Sequence, residues 1–369
     1  MIVCFMKKLD AWLGKFLVRI LPHARLFALE EEYVKILLIR PGGIGDAIHL
    51  IPAINLLKAY YPDCTIDVLA ESRNQGAFVL CRNIHEVFLY DKPIDLGAVL
   101  RRHYDVVVDT EQWHYLSAVV ARMIKAPMKI GFGTNNRARM FTHAHAYSHD
   151  DYEAESFLRL CEPLGIGRIP VPERYLELPA DACASAGRLL SGCIEAPFVA
   201  IFPGASIYER RWGAERFRRV AEMLFSAGIK TVVVGGRDDS RQGDEIIAGG
   251  AGINLAGKTS LAETAAVIDR SALLISGDSG VLHMAVGLNK PTVSLFGPGR
   301  TRKWAPRGER HVVINRQLPC SPCTTFGTTP ACKSDVSCMK TISIEQVVTG
   351  AMTLLTQEGI LEPRCCRFF

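Results

Sequence analysis

At 369 residues the chain is longer than one hydrophobic core usually supports, roughly 250–300 residues, so two domains are expected. Apolar residues make up 49 % and charged residues 22 %, and 43 basic against 38 acidic side chains leave a formal net charge of +5. So mild a surplus suits an anionic small molecule or an acidic surface. With no long Lys/Arg run, no RNP-type motif and no zinc-finger His pair, nucleic acid is not an expected partner. The twelve cysteines are too thinly spread over too long a chain for a secreted disulfide scaffold, which points to the cytoplasm.

Residues 1–27 are apolar but interrupted by Lys7, Lys8, Asp10, Lys15, Arg19 and Arg25. They lack the run of about 20 apolar residues that a membrane-spanning helix needs, and the h-region and cleavage site of a signal peptide. Trp12, Phe16, Ile20 and Leu21 share one helical face, flanked by Lys8, Lys15 and Arg19. Two readings stand: a helix resting on a membrane surface, or an amphipathic helix packed on its domain.

From Lys35 onward short apolar runs alternate with helical patterns. Strands are expected at 36–39, 66–69, 87–90 and 106–109. The first run, without polar interruption, fits a strand buried on both faces. After it, Leu50, Ile54, Leu57 and Tyr61 recur at helical spacing until Pro62. Pro170, Pro172 and Pro179 mark a linker. The pattern then restarts, with strands at 198–202, 231–234, 272–275 and 292–296 and a helical stripe of Phe217, Val220, Ala221 and Leu224. Strand–helix alternation of this kind implies parallel sheets with right-handed crossovers. Ligands of such sheets lie at the carboxyl ends of the strands.

Three loops at those ends carry chemistry. The first is Arg40-Pro41-Gly42-Gly43-Ile44-Gly45-Asp46, where glycines admit a close ligand and a helix start attracts anions. Counted from Gly43, the third glycine of a dinucleotide fingerprint is replaced by Ile48, which argues against a dehydrogenase. Asp46 reads either as a helix cap or as a general base. The second loop, Phe202-Pro203-Gly204-Ala205-Ser206 with Arg210-Arg211-Trp212 behind it, offers amides, a hydroxyl and guanidinium groups that suit a diphosphate. The third is Ser276-Gly277-Asp278-Ser279-Gly280 followed by Val281-Leu282-His283. Gly277 and Gly280 keep the turn narrow, the amides of Ser279 and Gly280 suit phosphate oxygens, and Asp278 reads as a cap or a sugar ligand. His283 reads as facing the ligand or as a satisfied core histidine. Late in the chain, Cys320, Cys323, Cys332 and Cys338 have the residue types of a zinc site but an irregular spacing; disulfides and free thiols are the other readings.

Taken together, from Val34 to about Val348, these motifs resemble glycosyltransferase family 9, the ADP-heptose:lipopolysaccharide heptosyltransferases. The marks are Arg-x-x-x-x-Gly-Asp in the first loop, Pro-Gly-x-x before a basic-Arg-Trp triplet, Gly-Asp-Ser-Gly-x-x-His before Phe296-Gly297-Pro298, and the Cys320-x-x-Cys323 pair. The resemblance implies a GT-B fold, two Rossmann-like doubly wound α/β domains facing a central cleft, and an inverting transfer that requires no metal cofactor. The chain is expected to comprise an amphipathic N-terminal segment at 1–30, which the resemblance does not cover, two domains at 31–178 and 179–345, and a C-terminal helix and tail at 346–369; the resemblance implies that the first domain holds the acceptor and the second the nucleotide-sugar donor.

Position by position, the resemblance makes Asp46 the catalytic base. Arg40, Gly43 and Gly45 form the acceptor-side loop, and Ser206, Arg210, Asp239, Asp278, Ser279, Gly280 and His283 bind the donor. Arg210 stands where members usually carry lysine, a planar fork in place of a point charge. The implied partners are a nucleotide-sugar donor and an anionic glycolipid acceptor; the amphipathic pattern of residues 1–27 adds membrane-surface contact on the inner face of the cytoplasmic membrane as an expectation. A nucleotide-sugar epimerase and a non-catalytic carbohydrate- or nucleotide-binding protein are the rival readings.

Overall fold

The computed structural model describes residues 7–25, 35–192 and 197–362; residues 1–6, 26–34 and 363–369 of the expected terminal segments lie outside that description. The chain divides into two compact units, Met1–Pro172 and Glu173–Phe369.

In the first unit the strands are β1 (Lys35–Ile39), β2 (Thr65–Ala70), β3 (Glu86–Leu89), β4 (Val106–Asp109), β5 (Met128–Phe132) and β6 (His143–His145). In the second they are β7 (Phe198–Phe202), β8 (Lys230–Val233), β9 (Gly252–Asn254), β10 (Leu273–Gly277), β11 (Thr292–Phe296) and β12 (His311–Asn315). The sheet orders are β3-β2-β1-β4-β5-β6 and β12-β11-β10-β7-β8-β9. Every neighbouring pair is parallel. Counted from its own first strand, each sheet thus has the doubly wound order 3-2-1-4-5-6. The α/β class expected from the sequence, with two Rossmann-like units, is the observed one. Sequence patterning missed β5, β6, β9 and β12. The edge strands β6 and β9 are three residues long, and β12 is only partly buried, so none of these carries a long apolar run.

The division between the units falls after Pro172, ahead of the expected boundary at 178. Backbone bonding accounts for it: the amides of Tyr175 and Leu176 both donate to the Gly287 carbonyl, at 2.9 and 3.1 Å. Residues 173–179 therefore begin the second unit. Neither terminal helix is an appendage. Val18 of the helix Lys15–Ile20 is buried in one core with Leu37, Ile39 and Val107. The helix Ile344–Gln357 buries Val347, Val348, Ala351 and Leu355 in the core around Phe217 and Trp212. Among the described residues no helix is long and apolar enough to cross a membrane.

Beneath the first unit's strand ends lies a buried ion pair. Asp109 ends β4, and its carboxylate accepts from the Ser117 hydroxyl at 2.9 Å and pairs with Arg137, both charged side chains being 0 % exposed. Burial pushes the Asp109 carboxyl up from its ordinary range, and Arg137 opposes that push. Arg137→Met, which leaves the carboxylate buried and unpaired, should destabilise the protein by about 3–5 kcal/mol. Chemical denaturation reads the loss, and adding Asp109→Asn should recover part of it.

In the second unit, His311 Nδ1 lies 2.9 Å from the Thr292 hydroxyl. Burial, and secondarily Arg310, pushes this imidazole from 6.5 down to about 4. The unfolded chain binds the proton near pH 6.5 and the folded one only near 4, so the folded state gains protons later as the pH falls. This contribution to stability should be complete above pH 6.5 and lost on descent towards 4. His311→Gln should flatten that part of the stability–pH curve, measured by denaturation at each pH.

Candidate functional site

In a doubly wound sheet the strand order reverses where the first and fourth strands meet, and the loops leaving their carboxyl ends splay apart. In the first unit those loops follow β1 and β4. Gly42 has φ +126°, a conformation that L side chains rarely adopt, and it turns the chain into the helix Ile44–Tyr60. Gly43 is the N-cap of that helix, Gly45 lies in its first turn, and Asp46 follows. Gly43 makes no side-chain cap, and Asp46 is the acidic residue of the helix's first turn.

Around Asp46 the other charges are buried and committed. The Arg40 guanidinium is 1 % exposed and turned inward, donating to the Pro41 and Thr110 carbonyls and, at 2.9 Å, to Glu111 Oε2. Burial works against the charged form of Arg40, but Asp46, Glu111, Glu153 and Asp109 together raise its pKa. Glu111 responds in the opposite sense: burial would raise it, while Arg40, His114 and Arg137 bring it below the usual range. Gln112 Nε2 donates both to Glu153 and, at 3.3 Å, to Asp46 Oδ1. Arg40 Nη1 is 3.9 Å from the same Asp46 oxygen. The Asp46 side chain remains 24 % exposed while Asp109 and Glu153 are 0 % exposed. It is the most exposed carboxylate of this cluster, with the Gln112 amide and the Arg40 guanidinium behind it.

In the second unit the equivalent loops follow β7 and β10. Arg210 Nη1 forms an ion pair with Asp278 Oδ2 at 3.1 Å, with the two side chains 16 % and 3 % exposed. The Arg210 Nε is buried and has no protein partner among the described residues. Ser279 is the N-cap of the helix Gly280–Gly287, its hydroxyl accepting from Leu282 N at 3.2 Å and lying 3.0 Å from the Ser276 hydroxyl. The cap is therefore Ser279, and Asp278 is the partner of Arg210. Gly280 is not a positive-φ residue. Gly277 keeps the turn narrow, since a Cβ there would stand 3.1 Å from the Arg210 carbonyl oxygen.

On the other side of β7, toward β8, Asp239 is 9 % exposed and accepts from the Gly236 amide at 2.9 Å. Burial raises its pKa, against the Gly236 amide and Arg211. It packs so closely on the β7 loop that a Cβ at Gly204 would collide with its carboxylate. Arg211 donates to the Ala205 carbonyl of that loop at 3.1 Å. Ser206 is exposed on it. His283 is 3 % exposed, its ring 5.8 Å from that of Trp304, and so lies within the helix packing behind the turn.

The structure thus gathers Arg210, Asp278, Ser279 and Gly280 at one strand-end turn, with Asp239 beside the neighbouring loop. Sequence reading missed Glu111, Gln112, Arg137 and Glu153. The first two follow a strand that ends in Asp109, and that position was the available signal. Arg137 and Glu153 arrive from distant segments and carry no local mark.

The four late thiols stand near one another, and none is in a disulfide. No three of the sulfurs of Cys320, Cys323, Cys332 and Cys338 lie mutually within 4.8 Å. Cys320 and Cys332 are exposed, Cys338 is buried, and the Cys332 sulfur accepts from the Val336 amide at 3.2 Å. Among the described residues the metal-ligand spacing recurs at Asp67, His85 and Glu86, but there Arg102 donates to Asp67 at 3.3 Å and to Glu86 at 2.8 Å, supplying the cation itself. That cluster borders a cavity of about 580 Å³ lined by Lys35, Thr65 and Tyr104. Lys35 and Thr65 begin their strands, so the cavity lies at the end of the sheet opposite to Asp46.

A family model described as glycosyltransferase family 9 (heptosyltransferase) matches residues 94–332. The chain is 26 % identical over 309 residues to lipooligosaccharide heptosyltransferase 2 of Haemophilus influenzae, covering 76 % of this chain and 88 % of that protein. It is 29 % identical over 295 residues to lipopolysaccharide heptosyltransferase 3 of Escherichia coli, covering 71 % and 82 %. Its fold is that of the solved E. coli ADP-heptose lps heptosyltransferase II, at TM-score 0.73 and 24 % identity over 88 % of this chain and all of that one. A glycosyl transferase family 9 structure from Veillonella parvula matches at TM-score 0.74 and 23 % identity, covering 89 % and 99 %. With more than half of its length matched by the family model and both units built on this fold, the chain belongs to glycosyltransferase family 9, the heptosyltransferase family, and is a glycosyltransferase.

Proposed function

We propose that the enzyme transfers a heptose from ADP-heptose to a lipopolysaccharide core or a similar anionic glycolipid, with inversion at the anomeric carbon. The observation that carries this reading is the partly exposed, oriented carboxylate of Asp46 on one strand-end loop and the Arg210 guanidinium beside the Ser279-capped turn on another. The names of the relatives, which are heptosyltransferases of lipopolysaccharide and lipooligosaccharide, support the sugar and the acceptor.

In the proposed reaction Asp46 takes the proton of the acceptor hydroxyl as that oxygen bonds to the anomeric carbon. The bond from that carbon to the diphosphate breaks, and both electrons leave with ADP. Arg210, with its buried Nε, and the amides of Ser279 and Gly280 meet the charge that develops on the diphosphate. Asp278 holds Arg210 in place. Asp239 supplies a carboxylate for the hydroxyls of the nucleoside. Ser206 adds a hydroxyl on the exposed side of the β7 loop, and His283 supports the turn from behind. Arg40 and Glu111 fix the loop that bears Asp46.

These steps route no charge through a metal. A structural zinc at the four late cysteines would require their sulfurs to close to ligand distance, and metal analysis of the purified protein decides its presence. The reading places the enzyme in the cytoplasm, where activated sugars and growing glycolipid meet. The direct test is incubation with ADP-heptose and a heptose-deficient core acceptor, followed by mass spectrometry of the acceptor. Gain of one heptose supports the reading; turnover of the donor to an isomer without any acceptor replaces it with an epimerase.

Asp46→Asn should lower kcat by ~10²-fold or more while leaving the ADP dissociation constant nearly unchanged, because a general base acts only in the chemical step. Steady-state kinetics beside calorimetric titration checks this, and near-normal turnover would remove Asp46 from the mechanism. Arg210→Ala should cost ~10²–10³-fold in kcat, the usual effect of losing one preorganised donor at a developing charge. Arg210→Lys should recover part of it, since the charge returns without the planar fork.

A further inference from the structure

The N-terminal helix packs on its unit by the face opposite Trp12, Phe16 and Ile20. Through the helical stretch Asp10–Gly14 and on through Lys15–Ile20, the buried positions are Asp10, Gly14 and Val18, spaced by four. Asp10 Oδ1 accepts from the Leu116 amide at 2.6 Å, and a Cβ on Gly14 would stand only 2.8 Å from that of Tyr115. This small, polar seam seats the helix on its unit. The large apolar residues point the other way: Trp12 is 77 %, Phe16 56 % and Ile20 60 % exposed, also spaced by four. In the adjoining row Lys8, Lys15 and Arg19 are exposed, and the acid of the helix, Asp10, is 6 % exposed on the packed face. A stripe of one aromatic, apolar row beside one purely basic row is unusual for a surface facing only water.

We propose that this face of the N-terminal helix is a docking surface for an anionic lipid bilayer, with Trp12, Phe16 and Ile20 entering the headgroup boundary and Lys8, Lys15 and Arg19 meeting lipid phosphates. The charge of the exposed rows selects this occupant, because an apolar face rimmed by one sign of charge matches a negatively charged interface and repels a second copy of itself. The helix is fixed to the sheet that carries Asp46, so docking holds that unit at the membrane. The inference deepens the proposed function by giving the glycolipid reading a membrane-facing surface, and it rests on that reading for the acceptor alone.

The test is co-sedimentation of the full chain with phosphatidylcholine vesicles, with and without phosphatidylglycerol. Wild type should bind the anionic vesicles, and each of Lys15→Gln and Arg19→Gln should weaken binding by about fivefold. The double variant Trp12→Glu/Phe16→Glu should lose ~10²-fold or more. Glutamate is a good helix former and both positions are exposed, so its melting temperature should match wild type. Its transfer to a delipidated acceptor should be unchanged, while transfer to vesicle-embedded acceptor falls. Absence of wild-type binding, equal binding by the double variant, or a concentration-dependent dimer that Trp12→Glu/Phe16→Glu abolishes would each overturn the proposal. Failure to transfer heptose to the delipidated acceptor would instead overturn the proposed function and leave the vesicle result standing.

Discussion

The reversal of strand order at the centre of each sheet is the constraint on which the rest depends. Between β1 and β4, and again between β7 and β10, crossovers leave in opposite directions, so neighbouring loops diverge and the strand ends lie open. Both candidate loops of the first unit, and the two most populated of the second, leave from these four strands. The reactive groups need no other scaffold: Asp46 follows β1, Glu111 and Gln112 follow β4, Arg210 follows β7 and Asp278 with Ser279 follows β10. Parallel strands buried on both faces supply rigidity, and the loops at their ends are free to carry polar groups.

The two units hold their loops by different physics. In the first, charge is packed under the loop: Arg40, Asp109, Glu111, Arg137 and Glu153 are all below a tenth exposed. Each would be costly alone, and each is tolerated because its neighbours satisfy it. Such a network fixes orientation, which is what a single exposed carboxylate acting on a hydroxyl requires. In the second, close backbone approach does the same task. Gly204 admits the Asp239 carboxylate, Gly277 admits the Arg210 backbone, and Ser279 caps the Leu282 amide at the start of the helix Gly280–Gly287. A diphosphate is bound by several amides and one cation at once, so open backbone serves it better than a dense charge cluster.

The central strands were legible in the sequence because burial on both faces writes a continuous apolar run. The glycine loops were legible because a turn at a strand end tolerates little else. What stayed hidden depends on distance along the chain. Arg137 reaches Asp109 and Glu153 reaches Gln112 from segments with no motif of their own. Two alternatives were decided by the backbone: Ser279, not Asp278, caps the helix, and of the two glycines expected to keep the turn narrow it is Gly277 whose Cβ would meet the Arg210 carbonyl oxygen. Local spacing shows that one residue of a turn must do each job. Only the backbone path shows which. The late cysteines show the same limit, since Cys-x-x-Cys spacing fixes one pair and leaves the other two sulfurs to the loop.

The N-terminal helix shows where periodicity is silent in principle. A helix with an apolar row at every fourth residue has two candidate packing faces when small residues recur on the opposite side. Hydrophobicity favours burying Trp12, Phe16 and Ile20, by roughly 1.5–3 kcal/mol for each large side chain. The structure buries Asp10, Gly14 and Val18 instead. Two local facts decide it: the Leu116 amide at the start of the helix Tyr115–Met123 needs an acceptor, which Asp10 provides, and the helices approach too closely at Gly14 for any side chain. A satisfied buried amide and a close helix contact thus outweigh three exposed apolar side chains, and that balance is easier to understand if those side chains meet something other than water. An apolar row left outside by specific contacts within is a feature of the native state, and the basic row beside it gives that feature its direction.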